Sequence, residues 1–180
     1  MSNFELISSY NNVAGAENLI PKRATIDSAG YDFVAAADTI VPSYQRLMKE
    51  LSDYLAPKIL YSLDEIKGVV KNTKLQPTLI PTGIKCQLDE GHYLELSVRS
   101  STPLNNWIIL ANGVGIIDRD YYNNPNNEGH IYFQVINLSP VDIIIKAGEK
   151  IGQGIIKTYD KVNMDTTTEI RTGGFGSTNG

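Results

Sequence analysis

Apolar and polar residues alternate with a period of two along much of the chain. Ile84, Cys86 and Leu88 fall on one side, and Lys85, Gln87 and Asp89 on the other. After the Glu90-Gly91 turn, Leu94, Leu96 and Val98 alternate with Tyr93, Glu95, Ser97 and Arg99. This spacing predicts half-buried strands. Phe4 to Ser8, Thr39 to Val41, Trp107 to Leu110, Ile131 to Leu138, Val141 to Lys146 and Gly154 to Tyr159 continue the series, punctuated by Pro42, Pro140 and Gly148. Many short strands with regular turns argue a sandwich or barrel rather than βαβ units.

One block, 43–76, breaks the pattern. Leu47, Leu51 and Leu55 recur every fourth residue, and Ile59, Leu63, Ile66 and Val70 every third or fourth, which is helical spacing. Ser43 after Pro42 suits an N-cap, Pro57 should end or kink the first helix, and Ser62 followed by Glu65 fits a capping box for a second. The sequence therefore predicts a helical pair set into an all-β framework.

The chain has 180 residues, 42% of them hydrophobic and 20% charged, which suits a single globular domain over 1–180. Sixteen Lys+Arg against twenty Asp+Glu give a net charge of −4, which disfavours direct nucleic-acid binding through phosphates. One cysteine, Cys86, rules out an internal disulfide, and two histidines leave little for a His-rich metal site. Cys86 reads as a core thiol, His92 as a turn residue, and Trp107 as buried or at a subunit contact. No apolar run has a membrane-spanning length and Met1 to Tyr10 lacks a signal-peptide pattern, so a soluble, cytoplasmic protein is expected.

Seven of fifteen glycines lie at or after Gly148, and the last ten residues carry one large apolar side chain, Phe175. Such a segment, 171–180, cannot order itself by burial and is expected to be mobile unless a ligand or a neighbouring subunit holds it, a frayed terminus being the plainer reading. An arginine, freely accessible backbone N–H groups, a lone ring and two hydroxyls suit a phosphate clamp with a stacking platform.

Several local patterns carry chemistry. Asp118 and Asp120, if extended, share a face opposite Arg119, where mutual repulsion could raise one pKa and supply a base. Asn112 followed by Gly113-Val114-Gly115 predicts a tight hairpin with exposed backbone able to read a pyrimidine edge. Arg99-Ser100-Ser101 offers a donor fork and hydroxyls to phosphate, and Gln153 an amide donor. The Asn-rich run 123–129 reads as a mobile surface excursion.

In order, the chain holds AGYD (Ala29 to Asp32), RSS (Arg99 to Ser101), NGVGIIDRDY (Asn112 to Tyr121), GEKIGQG (Gly148 to Gly154) and RTGGFGST (Arg171 to Thr178). This set resembles the five ordered motifs of the homotrimeric dUTP diphosphatase (dUTPase) family. The long form, with a helical insertion and an Asn-rich loop, is similar to dUTPases of phages and Gram-positive bacteria. The resemblance implies a jelly-roll-like barrel assembled as a homotrimer. Its activity would be Mg²⁺-dependent hydrolysis of dUTP to dUMP and pyrophosphate, with active sites shared between subunits.

Carried over by motif, Asp118 orients and deprotonates the attacking water, and Tyr121 packs on the deoxyribose. Asn112, Gly115 and the backbones of Ile116, Ile117 and Tyr132 surround uracil. Arg99, Ser100, Ser101 and Gln153 serve the phosphates. Asp32 meets the metal through a water. Arg171, Phe175, Gly176, Ser177 and Thr178 close the lid. The chain departs from the pattern at three places: Thr102-Pro103-Leu104-Asn105-Asn106-Trp107 follow Ser101 where the family often has a small residue, a Lys and a Gly, Lys150 stands where it commonly has Arg, and Gly152 where it commonly has Ala. The insertion has two readings, surface decoration packed on the barrel and a docking surface for a regulatory protein. The rival functions are such a regulatory module and a related dCTP deaminase.

Overall fold

The computed structural model describes residues 1–55, 61–72, 76–169, 171, 173 and 174. In chain order the elements are β1 (Asn3–Leu6), β2 (Lys22–Arg23), β3 (Tyr31–Val34), β4 (Thr39–Val41), α1 (Tyr44–Leu55), α2 (Leu63–Asn72), β5 (Thr78–Pro81), β6 (Ile84–Gln87), β7 (His92–Ser97), α3 (Ser101–Asn106), β8 (Ile108–Leu110), β9 (Gly115–Ile117), β10 (Tyr132–Asn137), β11 (Ile143–Ile145) and β12 (Lys150–Thr158). The strands pair antiparallel as β2-β3-β12-β7-β9, β5-β10-β8, β1-β6 and β11-β4. This is the expected all-β, jelly-roll-like barrel.

The alternation predicts the buried faces. Ile84, Cys86 and Leu88, and across the next turn Leu94 and Leu96, all enter the core. Burial pushes the Cys86 thiol up to about 12, so it packs as an inert apolar group. Phe33 of β3 and Phe133 of β10 are fully buried and meet with ring centroids 5.6 Å apart, tying two sheets together. Gly152 and Gly154 of β12 make that contact possible. A Cβ on Gly152 would collide with the Phe133 ring, and one on Gly154 would lie 2.8 Å from Phe33.

Both predicted helix starts are present. Arg46 N–H donates to Ser43 Oγ at 3.2 Å. Ser62 and Glu65 form the reciprocal capping box, with Ser62 N–H donating to Glu65 Oε2 at 2.9 Å and Glu65 N–H to Ser62 Oγ at 3.2 Å. Pro57 lies outside the described residues. The helices leave the barrel unbroken, since β4 pairs with β11 before them and β5 with β10 after them. The base of α1 is fastened by Arg46, which donates to both oxygens of Asp142. On α2, Leu63 and Ile66 are exposed rather than packed on the barrel.

Four expectations need correction. The residues after Arg99 form a short helix, α3, and Trp107 is its left-handed cap (φ 55°) instead of a strand residue; its side chain is exposed. Asn112 to Val114 is not the turn of a hairpin, because β8 pairs with β10 and β9 with β7; it carries the chain from one sheet to another. Asp118 and Asp120 are not on a strand: β9 ends at Ile117 and a 3₁₀ turn spans Arg119–Tyr121. The Asn-rich run is no loose excursion, because Asn124 is buried, Lys85 of β6 donates to Asn123 Oδ1 at 2.6 Å and Ser8 N–H donates to Glu128 at 3.0 Å.

Candidate active site

A cavity of about 350 Å³ opens beside β9. Its lining includes Asn112, Gly115, Ile116, Ile117, Asp118, Tyr121, Tyr132 and Arg171, all anticipated from the sequence, together with Leu96, His130 and Gln134. Gly115 is required by packing, since a Cβ there would lie 3.1 Å from Leu96. Asp118 stands where the strand gives way to the 3₁₀ turn, its backbone still extended. Arg119 turns away from the two aspartates and donates to the Leu88 carbonyl. The partner that gathers Asp118 and Asp120 is Arg171, through Nη2 and Nε respectively. The cavity thus combines the backbone of β9 with the amides of Asn112 and Gln134, the rings of Tyr121, His130 and Tyr132, the Asp118 carboxylate and the Arg171 guanidinium.

Tyr121 is buried, and its phenol donates to the His130 carbonyl at 2.9 Å. Burial pushes the phenol pKa up, which keeps the donor protonated. His130 Nε2 accepts the Gly83 N–H at 2.9 Å, and its ring lies 4.0 Å from that of Tyr132. Burial pulls the imidazole down to about 4, so it is neutral and able to accept.

The remaining polar residues do not line this cavity. Asp32 on β3, Gln153 on β12 and Ser97 on β7 face one another across three neighbouring strands. Asp32 is salt-bridged to Lys150 (2.7 Å) and Arg99 (3.3 Å), and Gln153 Nε2 donates to Ser97 Oγ at 3.3 Å. Gly30 of the AGYD motif lets Gln153 lie against the backbone, because a Cβ there would strike the amide. Lys150 reaches Asp32 with a single point charge, where an arginine could offer a fork. Ser100 and Ser101, exposed, open α3 beside Arg99. The chain therefore carries two separate groups of site residues, a backbone-walled cavity and a cationic cluster. Phe175, Gly176, Ser177 and Thr178 lie outside the described residues.

The dUTPase family model matches residues 60–179. A deoxyuridine 5'-triphosphate nucleotidohydrolase of Lactococcus lactis subsp. lactis is 38% identical over 177 residues, covering 97% of this chain and 95% of that one. The chain belongs to the dUTPase family. The crystal structure of the dUTPase from Streptococcus mutans superposes with a TM-score of 0.68 at 34% identity, covering 89% of this chain and 98% of that one. The dUTPase from phage phi11 of S. aureus shares the fold at 16% identity, with a TM-score of 0.60 and coverage of 96% and 99%.

Within this dUTPase chain, Leu96, His130 and Gln134 are cavity residues that motif reading missed. Gln134 was within reach, because it shares a strand face with Tyr132 two residues earlier. His130 was not, because its burial depends on an N–H from Gly83 in a distant turn. Among the described residues no three His, Cys, Asp or Glu side chains gather as metal ligands. A cation in such a site would take its inner ligands from phosphate and water. Asp32, with both oxygens already salt-bridged, fits an outer role of accepting from a metal-bound water.

Proposed function

We propose that this protein is a dUTP diphosphatase, a homotrimer that hydrolyses dUTP to dUMP and pyrophosphate. The observation that carries this reading is the division of the site. Asn112, Ile116, Ile117, Asp118 and Tyr121 surround one cavity, while Arg99, Lys150, Asp32 and Gln153 stand outside it. A nucleoside triphosphate needs both groups, and copies of the chain can bring the cationic cluster of one to the cavity of another. The single domain, 1–180, then supplies three partial surfaces. The segment 171–180 acts as the lid that closes over them.

Uracil enters the cavity with its polar edge against Asn112 and the backbones of Ile116, Ile117 and Tyr132. Cytosine places a donor where uracil has an acceptor and leaves these groups unpaired. The deoxyribose packs on Tyr121, which leaves no room for a 2′-hydroxyl. Arg99, Ser100, Ser101 and Gln153 hold phosphate oxygens, joined on closure by Arg171, Ser177 and Thr178, while Phe175 and Gly176 cover the base. Bound Mg²⁺ would neutralise phosphate charge and fix the triphosphate conformation, with Asp32 holding one of its waters. Asp118 accepts a proton from water as its oxygen attacks the α-phosphorus in line. The bond to the α–β bridging oxygen breaks, and pyrophosphate departs.

Pyrophosphate release from dUTP tests this reading. Asp118→Asn should lower turnover by roughly 10²–10⁴-fold with nucleotide binding retained; equal turnover would remove Asp118 from its role. With no membrane-spanning helix among the described residues and a net charge of −4, a cytoplasmic location (that of the bacterial host if phage-encoded) fits a pool of free nucleotides. The exposed Leu63 and Ile66 on α2 support a second role for the 43–76 insertion, contact with a regulatory protein. Deleting 43–76 without any change in the proteins retained by the enzyme would count against it.

A further inference from the structure

We infer that Asn127, backed by Asn124, is a positioning residue for Tyr121 and so sets the preference for a 2′-deoxy sugar. The inference rests on the reading above, in which the Tyr121 ring packs on the deoxyribose. The Asn-rich run 123–129 is built around that tyrosine. Asn127 Nδ2 donates to Tyr121 Oη at 2.8 Å, and the same oxygen donates to the His130 carbonyl at 2.9 Å. The phenol is therefore caught between one donor and one acceptor. At the other end of the residue, Asn124 Nδ2 donates to the Tyr121 carbonyl at 3.1 Å.

The two asparagines also hold each other. Asn124 Nδ2 donates to Asn127 Oδ1 at 2.7 Å, and Asn127 N–H returns a bond to Asn124 Oδ1 at 3.3 Å. Gly129 N–H donates to Asn127 Oδ1 at 3.1 Å, and Gly129 adopts φ +80°, where a Cβ would lie 2.6 Å from the Tyr121 carbonyl. Asn124 is 4% exposed. Such a closed set of bonds fixes both the backbone and the ring tip of Tyr121.

Rigidity matters because rejection of a ribose here is steric. A wall that can retreat by a few tenths of an ångström admits one more oxygen, whereas a wall fixed at both ends does not. Binding of the deoxy substrate asks less of the wall, so loosening it should cost discrimination before it costs turnover on dUTP.

The test compares kcat/KM for dUTP with that for UTP in the full-length protein. Asn127→Asp keeps the acceptor oxygen and removes the donor to Tyr121. The dUTP/UTP ratio should fall roughly tenfold, as for one lost hydrogen bond. In a Tyr121→Phe background the same substitution should change the ratio no further, since the oxygen through which it acts is gone. A general loss of structure would lower both substrates alike and persist in that background. An unchanged ratio in folded Asn127→Asp, or a full additional loss on top of Tyr121→Phe, overturns the inference. If Asn127→Asp does not fold, Tyr121→Phe alone decides, because an unchanged ratio there removes any role for the tethered oxygen. A parent enzyme that accepts dUTP and UTP equally would instead defeat the sugar-packing reading on which the inference rests.

Discussion

Arg171 Nη2 donates to Asp118 Oδ2 while Nε of the same guanidinium donates to Asp120 Oδ1 at 2.9 Å. Arg171 thus rests on the carboxylate that the proposed reaction uses to activate water. Asp118 Oδ2 therefore already accepts from a guanidinium N–H. The backbone at Gly174 lies close against the Tyr121 ring, since a Cβ there would be 2.6 Å from it. In the proposed reaction Arg171 exchanges these aspartates for the phosphates of the substrate, whose charge supplies the competing partner.

Arg171→Ala should therefore have effects of opposite sign on two ligands. For dUTP, loss of a charge-assisted phosphate contact should lower kcat/KM by roughly 10²-fold. Deoxyuridine has no phosphate to lose and no longer competes with the arginine, so it should inhibit at least as strongly as in the parent. Steady-state kinetics with deoxyuridine as competitor checks both. Equal weakening of the two ligands would show that Arg171 supports the cavity and does not obstruct it.

Asp32 holds Arg99 and Lys150 together and is assigned an outer role toward Mg²⁺. Asp32→Asn keeps the shape and removes the charge. The Mg²⁺ concentration for half-maximal turnover should rise roughly tenfold or more, as for loss of an outer-shell partner of a metal. A Mg²⁺ titration of both proteins reads this directly. An unchanged midpoint with reduced maximal rate would place Asp32 with the phosphate-binding cations instead.

Gly152 faces the Phe133 ring so closely that no Cβ fits. Gly152→Ala should destabilise the fold by about 1–3 kcal/mol through overpacking. Phe133→Leu should recover part of that loss in the double variant, although alone it is destabilising. Urea unfolding of the four proteins gives the coupling. Additive losses would mean that the ring is not what the extra methyl meets.

Local signals were legible in the sequence, and tertiary partners were not. The caps at Ser43 and at Ser62 with Glu65 are formed as read, because a cap needs only residues three positions apart. The faces of β6 and β7 are also as read, because burying one face of a strand fixes its alternation. Which strands pair is not contained in that alternation, so the turn after Asn112 reads as a hairpin although its flanking strands join different sheets. The reversal at Trp107 depends on distant pairing as well, since its carbonyl accepts the Leu138 N–H at 2.8 Å. Motif order picks out Asp118, Tyr121 and Asn112, which line one cavity. Asn127 was missed because nothing in an Asn-rich run says which amide turns inward to a tyrosine.

His130 should make stability fall with pH in a window well above that of the carboxylates. Its folded value is lowered from 6.5 to about 4 by burial, which outweighs the opposing pull of Glu128. Between those values the unfolded chain binds a proton that the folded chain refuses, so stability is full above about 6.5 and drains away as pH falls toward 4. Protonation would also set a ring N–H against the Gly83 N–H that Nε2 now accepts. Asp38, Asp89 and Asp142 are held below their ordinary 3.8, so their contribution is lost at lower pH. His130→Gln offers Gly83 a neutral acceptor that cannot titrate. Urea midpoints measured from pH 7.5 to 4.5 should decline for the parent and decline distinctly less for this variant. Parallel profiles would show that the buried imidazole is not the group that senses pH.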